Sequence, residues 1–103
     1  MIKKYNIIIR QQFYEELENI IYYSLSSPKS KKNLYQKIKT SISHLDYFPE
    51  RFYKISHIPK YKNLNIHKLP IDKYVIIYQV NKDLKEVYVL HIFYGNQNYF
   101  KNI

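Results

Sequence analysis

Residues 66–100, IHKLPIDKYVIIYQVNKDLKEVYVLHIFYGNQNYF, decide the fold. Tyr74 to Val80 and Val87 to Tyr94 are unbroken runs of β-branched and aromatic residues, and the polar stretch from Asn81 to Glu86 between them has the composition of a hairpin connection. A third strand, Leu64 to Leu69, precedes them, with Pro70 and Asp72 turning the chain into Tyr74. Three successive strands with short turns predict an antiparallel meander. Val75 and Ile77 lie on one face of the middle strand and Tyr74, Ile76, Tyr78 and Val80 on the other, so both faces are apolar and the strand is expected to be central. In the next strand strict alternation puts Val87, Val89, His91 and Phe93 on one face. Gly95, the only glycine of the chain, follows directly, which predicts a positive φ or a close backbone approach there.

Upstream of this sheet the period changes from two to that of a helix. Phe13, Leu17, Ile20 and Ile21 recur at helical spacing with Glu15, Glu16, Glu18 and Asn19 opposite them, an amphipathic helix ending near Leu25. Ser27 stands as an N-cap with Pro28 at the first helical position of a second helix, whose buried stripe is Leu34, Ile38, Ile42 and Leu45. The two helices form a hairpin packed on the sheet. Tyr5 to Ile9 reads as a strand, expected to be central because Ile7, Ile8 and Ile9 leave no polar face. Pro49 ends the second helical region, and Arg51 to Asn63 shows no period and is taken as a loop. The fold class is α+β: an N-terminal strand, an α-helical hairpin, then the three-stranded antiparallel meander.

With 103 residues the chain forms one domain, since two would each bury too little surface to offset chain entropy. No apolar run approaches the ~20 residues that span a bilayer, and charge returns at Arg10 with no small-residue cleavage site after it, so neither a membrane location nor a secretion signal is expected. The absence of cysteine removes disulfides and thiolate metal sites and is compatible with a cytoplasmic location. Seventeen Lys and Arg against eight Asp and Glu give a net charge of +9, a field that attracts phosphate backbones or an acidic protein. Between Arg51 and Lys73 cations outnumber Asp72, the one carboxylate there, while Glu15, Glu16 and Glu18 gather on the first helix. The basic surface is therefore expected on one side.

Several chemistries lack their groups. One glycine cannot build a phosphate-cradling loop. His44, His57, His67 and His91 form no helical pair and have no carboxylate at ligand spacing, so no metal and no cofactor is implied. Tyrosines interleaved with lysines, at Tyr53-Lys54, Lys60-Tyr61-Lys62 and Lys73-Tyr74, have the composition to stack bases while cations hold phosphates. Any one of these tyrosines equally suits a sheet position with a wet hydroxyl.

The order of elements, together with LDYFPERF at Leu45 to Phe52, KYVIIYQV at Lys73 to Val80 and VYVLHIFYG at Val87 to Gly95, resembles the RelE/ParE superfamily of type II toxin–antitoxin toxins, over nearly the whole chain. The resemblance implies a growth-inhibiting toxin with a cognate antitoxin as its partner, an acidic segment folding across the basic sheet and helix groove. It implies one of two targets. Nuclease members cut messenger RNA on the ribosome with strand-borne cations and a few acid–base side chains; ParE members lack much of that set and poison DNA gyrase.

Aligned on Tyr78-Gln79-Val80, Lys68 stands where the nuclease branch has a strand lysine, and Tyr99 lies near its C-terminal tyrosine. Val75 stands in place of one nuclease arginine, and Gly95 or Asn96 in place of a second. Cleavage through the 2′-hydroxyl needs a base, an acid and cations for the charge that develops on the phosphate. The candidates are His67 or His91 as base, Tyr94 or Tyr99 as acid, and Lys68 with Arg51 and Lys73 as cations. Lys54, Lys62 and Asn96 are further contacts to the RNA. His91 shares a face with Val87, Val89 and Phe93, which favours a satisfied core place for it, and His67, beside Lys68, is the preferred base. On these residues a ribosome-dependent endoribonuclease stands slightly ahead of a gyrase poison, which needs no catalytic residue, and a noncatalytic RNA-binding module is the third reading.

Overall fold

The computed structural model describes residues 4–24, 27–56, 58–61 and 63–95, the side chain of Ser24 excepted. The elements follow in the order β1 (Asn6–Ile9), α1 (Gln11–Ser24), α2 (Pro28–Ser43), 3-10 turns at His44–Asp46 and Pro49–Arg51, β2 (Tyr53–Lys54), a 3-10 turn at Pro59–Tyr61, β3 (Ile66–Ile71), β4 (Tyr74–Asn81) and β5 (Glu86–Tyr94). The expected strand, helical hairpin and antiparallel meander are all present. They belong to one sheet of order β1-β5-β4-β3-β2, in which β4 is central and β1 runs parallel to β5.

Local chemistry sets the boundaries. The Ser27 hydroxyl accepts from the Ser30 amide at 3.1 Å with Pro28 in the first turn, the cap that the sequence signals. The Asn81 side chain accepts from the Leu84 amide at 3.0 Å and fixes the β4–β5 turn, which closes with Lys85 at φ 55°. Asp72, at φ 54°, opens the two-residue turn between β3 and β4. Pro70 lies in β3 beyond the end of β2, where its missing N–H deprives no neighbouring strand. Gly95 has no positive φ; its amide donates to the Lys73 carbonyl at 2.7 Å, and a Cβ there would stand 3.4 Å from that oxygen. Neither a left-handed backbone nor a contact too close for a Cβ demands glycine at this position.

Two apolar clusters lie on the two faces of the sheet. On the helix side Phe13, Leu17 and Ile20 of α1 and Leu34, Ile38 and Ile42 of α2 pack with Leu45 on Leu69, Ile71, Tyr74, Ile76, Tyr78, Val80, Val87, Val89 and Ile92. On the outer side Ile55 and Tyr61, with Ile58, cover Ile66, Val75, Ile77 and Phe93. The segment taken as a loop is thus a cover for the second face, with a two-residue strand at its start.

Two strand expectations need correction. β1 is an edge strand, paired with β5 alone among the described strands. Its apolar character comes from the helices, because Ile7 and Ile9 pack on the helix-side core, so a covered face was mistaken for a second strand neighbour. In β5 the register shifts: Ile77 pairs with His91 but Tyr78 pairs with Val89, leaving Leu90 as a bulge. One extra residue reverses the alternation. Val87, Val89 and Ile92 therefore share the helix-side core, while Leu90 and Phe93 face the outer cluster.

Candidate functional site

Alternation along β3 separates the two side chains on which strand chemistry would depend. His67 pairs with Tyr78 and Lys68 with Ile77, so His67 faces the helix-side core and Lys68 the outer face. His67 is only 2% exposed. Its Nδ1 lies 2.9 Å from the Phe52 carbonyl and its Nε2 2.9 Å from the Asn65 side-chain oxygen. Its ring stacks on Tyr78, with centroids 5.5 Å apart. As it stands the imidazole is a packed core group with a protein oxygen against each nitrogen. Burial pushes the hydroxyl of Tyr78 well above the ordinary 10.0, and it donates to the Pro49 carbonyl at 2.5 Å.

Lys68 is half-buried on the outer face, its Nζ 4.8 Å from the centroid of the cross-strand Tyr53 ring. Tyr53 is 61% exposed, and Lys54 beside it is exposed at the β2 edge. Lys73 is exposed in the β3–β4 turn. Arg51 is occupied: its guanidinium donates to the carbonyls of Tyr47, Phe48 at 3.3 Å and His44 at 3.2 Å, and it lies over the Phe52 ring at 4.6 Å. It caps the end of a 3-10 turn.

His91 is held from α1. Both oxygens of the Glu16 carboxylate lie 3.2 Å from its Nδ1, and Glu16 also accepts from the Ile92 amide at 3.2 Å. The acid thus serves the edge of β5 that β1, ending at Ile9, no longer covers. The His91 ring stacks on Phe93 at 5.3 Å. Tyr94 meets the Tyr74 ring at 5.0 Å, and burial, followed by Tyr94, pushes the Tyr74 hydroxyl up. Lys62, Asn96 and Tyr99 lie outside the described residues. The structure therefore brings together neither His67 with Lys68 nor Arg51 with an open site.

Two features have no counterpart among the sequence candidates. Between β1 and both helices opens an apolar cleft of about 330 Å³, lined by Ile7, Ile9, Phe13, Leu17, Ile38 and Ile42, with Tyr14, Tyr35 and Lys39 also on its walls. Leu17, Ile38 and Ile42 are legible as core, but the cleft that they line is not. The second is Phe48, 67% exposed at φ 44°, ψ 56°, a left-handed conformation that costs a bulky L-residue about 1–2 kcal/mol. The Phe-Pro dipeptide gives no hint of it, since proline pushes the preceding residue towards extended backbone.

A family model described as ParE toxin of type II toxin-antitoxin system, parDE, matches residues 7–99. This chain belongs to the ParE toxin family. Solved structures agree on the fold. The ParE-family toxin described here is similar to the chromosomal ParDE toxin–antitoxin system of P. aeruginosa, with a TM-score of 0.69 at 17% identity over 88% of this chain and 96% of that one. It is also similar to the RelBE2 toxin–antitoxin complex of Mycobacterium tuberculosis, TM-score 0.63 at 11% identity, covering 94% and 98% of the two chains. A mutant of the E. coli toxin RelE in the free state gives a TM-score of 0.60 at 15% identity, covering 96% and 92%. A search of the curated proteins gave no match. Among the described residues no helix is long and apolar enough to cross a membrane, and no cluster of three or more His, Asp or Glu is placed to hold a metal ion.

Proposed function

We propose that this ParE-family toxin arrests growth by binding and poisoning DNA gyrase, not by cutting messenger RNA. The observation that carries the proposal is the state of His67. A general base must hold a free nitrogen within reach of the proton it takes; the ring of His67 is buried and a protein oxygen stands against each of its nitrogens, so neither is open to a substrate. His91 is tied to Glu16, Arg51 to backbone carbonyls, and Val75, standing in the place of a nuclease-branch arginine, is buried in the outer cluster. A toxin that works by occupying its target needs none of these groups free. The extent of the ParE family match, residues 7–99, supports the same branch. This reverses the slight lead that side-chain types alone lend to the nuclease.

The cognate antitoxin is the second partner. The apolar cleft between β1 and the helices, with Lys39 on its wall, suits the apolar face of an amphipathic segment bearing carboxylates on its rim. Gyrase supercoiling and cleavage-complex assays with purified toxin test the target, and primer extension on a defined messenger RNA in a reconstituted translation reaction runs beside them. Accumulated cleavage complex without new 5′ ends is the expected result. Discrete ribosome-dependent 5′ ends with unimpaired supercoiling would overturn the proposal.

A further inference from the structure

Phe48 is held in a costly conformation that buries little of it. Its backbone is left-handed although a bulky residue and a following proline both disfavour it, and the residue is 67% exposed, so packing repays little of the strain. The surroundings impose it. The Arg51 guanidinium grips the carbonyls of His44, Tyr47 and Phe48, and the Arg51 amide donates to the Phe48 carbonyl at 3.0 Å. From the sheet, the Tyr78 hydroxyl holds the Pro49 carbonyl at 2.5 Å. Glu50 is anchored by Asn65 at 3.2 Å and Lys82 at 3.4 Å. Local strain that neighbouring groups over-determine in this way is the mark of a displayed contact residue.

The neighbourhood identifies the kind of partner. The Tyr5 amide donates to the Asp46 carbonyl at 2.9 Å and the Asn6 amide to the Lys85 carbonyl at 2.8 Å, so the start of β1, the Phe48 loop and the β4–β5 turn form one end of the molecule. That end carries two exposed apolar side chains, Phe48 and, in the β4–β5 turn, Leu84 at 63%. Lys4 lies over the Tyr47 ring at 5.5 Å and Lys85 over the Tyr5 ring at 5.0 Å. Among the described residues its charges are balanced: Lys4, Arg51, Lys82 and Lys85 stand among Asp46, Glu50, Asp83 and Glu86. A polyanion would need an excess of cations. Rigid apolar anchors within a charge-balanced rim suit a protein surface with an apolar pocket.

We infer that this end of the sheet, with Phe48 as its anchor and Leu84 on the same end, is the surface by which the toxin grips its target protein, separate from the cleft assigned to the antitoxin. The inference rests on the binding mode proposed above, and its test separates the two. Phe48→Gly removes the ring and fits the left-handed backbone, so its thermal melt should stay near that of the unsubstituted toxin. Growth arrest on induction should be lost, and the toxin concentration that half-inhibits gyrase should rise about 30-fold, the loss of one anchoring aromatic. Affinity for the co-expressed antitoxin should change less than about twofold. Leu84→Ser, on an exposed turn, should weaken inhibition in the same direction and serves if Phe48→Gly misfolds. Growth arrest unchanged in folded Phe48→Gly, or in Leu84→Ser where Phe48→Gly misfolds, would overturn the inference, as would equal losses of antitoxin binding and arrest. If the unsubstituted toxin leaves gyrase untouched while Phe48→Gly abolishes arrest, the surface stands and the gyrase assignment falls.

Discussion

Replacing His67 with alanine tests the difference between a core histidine and a catalytic one. The substitution removes a ring stacked 5.5 Å from Tyr78 and, since a neutral imidazole has one N–H, the donor to one of two part-buried acceptors, the Phe52 carbonyl and the Asn65 side-chain oxygen, each 2.9 Å from a ring nitrogen. A buried acceptor stripped of its donor costs about 1–3 kcal/mol, and the void left by the ring adds a cavity cost that local collapse only partly recovers. Together these come to about 3–4 kcal/mol. For a domain of this size each kilocalorie moves the melting temperature by about 4–8 °C, so His67→Ala should melt about 12–32 °C lower. Urea unfolding should show the same loss with an unchanged m-value. Any loss of toxicity should follow the folded fraction and be recovered in part at lower temperature. A variant within about 1 kcal/mol of the unsubstituted protein that no longer arrests growth would refute this reasoning and return His67 to the chemistry.

Other expectations follow from the same contacts. Burial raises the hydroxyls of Tyr78, Tyr74 and Tyr61 above their ordinary 10.0, so the folded chain keeps protons that the unfolded chain releases; stability is full below pH 10 and falls as pH rises beyond it, and urea midpoints from pH 8 to 11 should decline less steeply in Tyr78→Phe. The Tyr61 hydroxyl is the one buried side-chain polar atom without a partner among the described residues, so Tyr61→Phe should raise stability by about 1 kcal/mol, and a loss of that size would mean a partner exists. Ser27→Ala, which removes the cap on the Ser30 amide, should cost about 1 kcal/mol by denaturant unfolding, and no change would deny the cap any weight. Tyr35→Glu, at a 49% exposed position on the cleft wall, should weaken antitoxin binding at least about tenfold by calorimetry with the melting temperature unmoved; unchanged affinity would place the antitoxin elsewhere.

Elements with a repeating pattern were legible in the chain, and features made by one residue meeting a distant one were not. Tyr74 to Val80 announced β4 because both its faces are buried, and Ser27-Pro28 announced α2 because capping is local chemistry. The bulge at Leu90 depends on how β5 meets β4, which alternation within β5 cannot reveal, and it moved Phe93 to the opposite face from Val87. The pairing of β1 with β5 is equally silent, since three isoleucines look the same under a helix as between two strands. For the candidate site, strand period alone separates His67 from Lys68, a constraint present in the sequence that outweighs their adjacency. What occupies His67 comes from Phe52 and Asn65, and what occupies Arg51 comes from the carbonyls of a turn. Neither leaves a motif.

The parallel pairing of Asn6 to Ile9 with Glu86 to Val89 has a consequence in time. A ribosome makes β1 first among the described strands and β5 last, so the earliest strand waits unpaired through the synthesis of everything between them. Contacts of such long sequence separation form late and slowly. The end of the sheet where Tyr5 meets Lys85 and Asn6 bonds to the Lys85 carbonyl does not exist on an unfinished chain. A growing polypeptide therefore carries the toxin's parts without its working shape, and arrest that depends on that end begins only when the final strand has closed against the first.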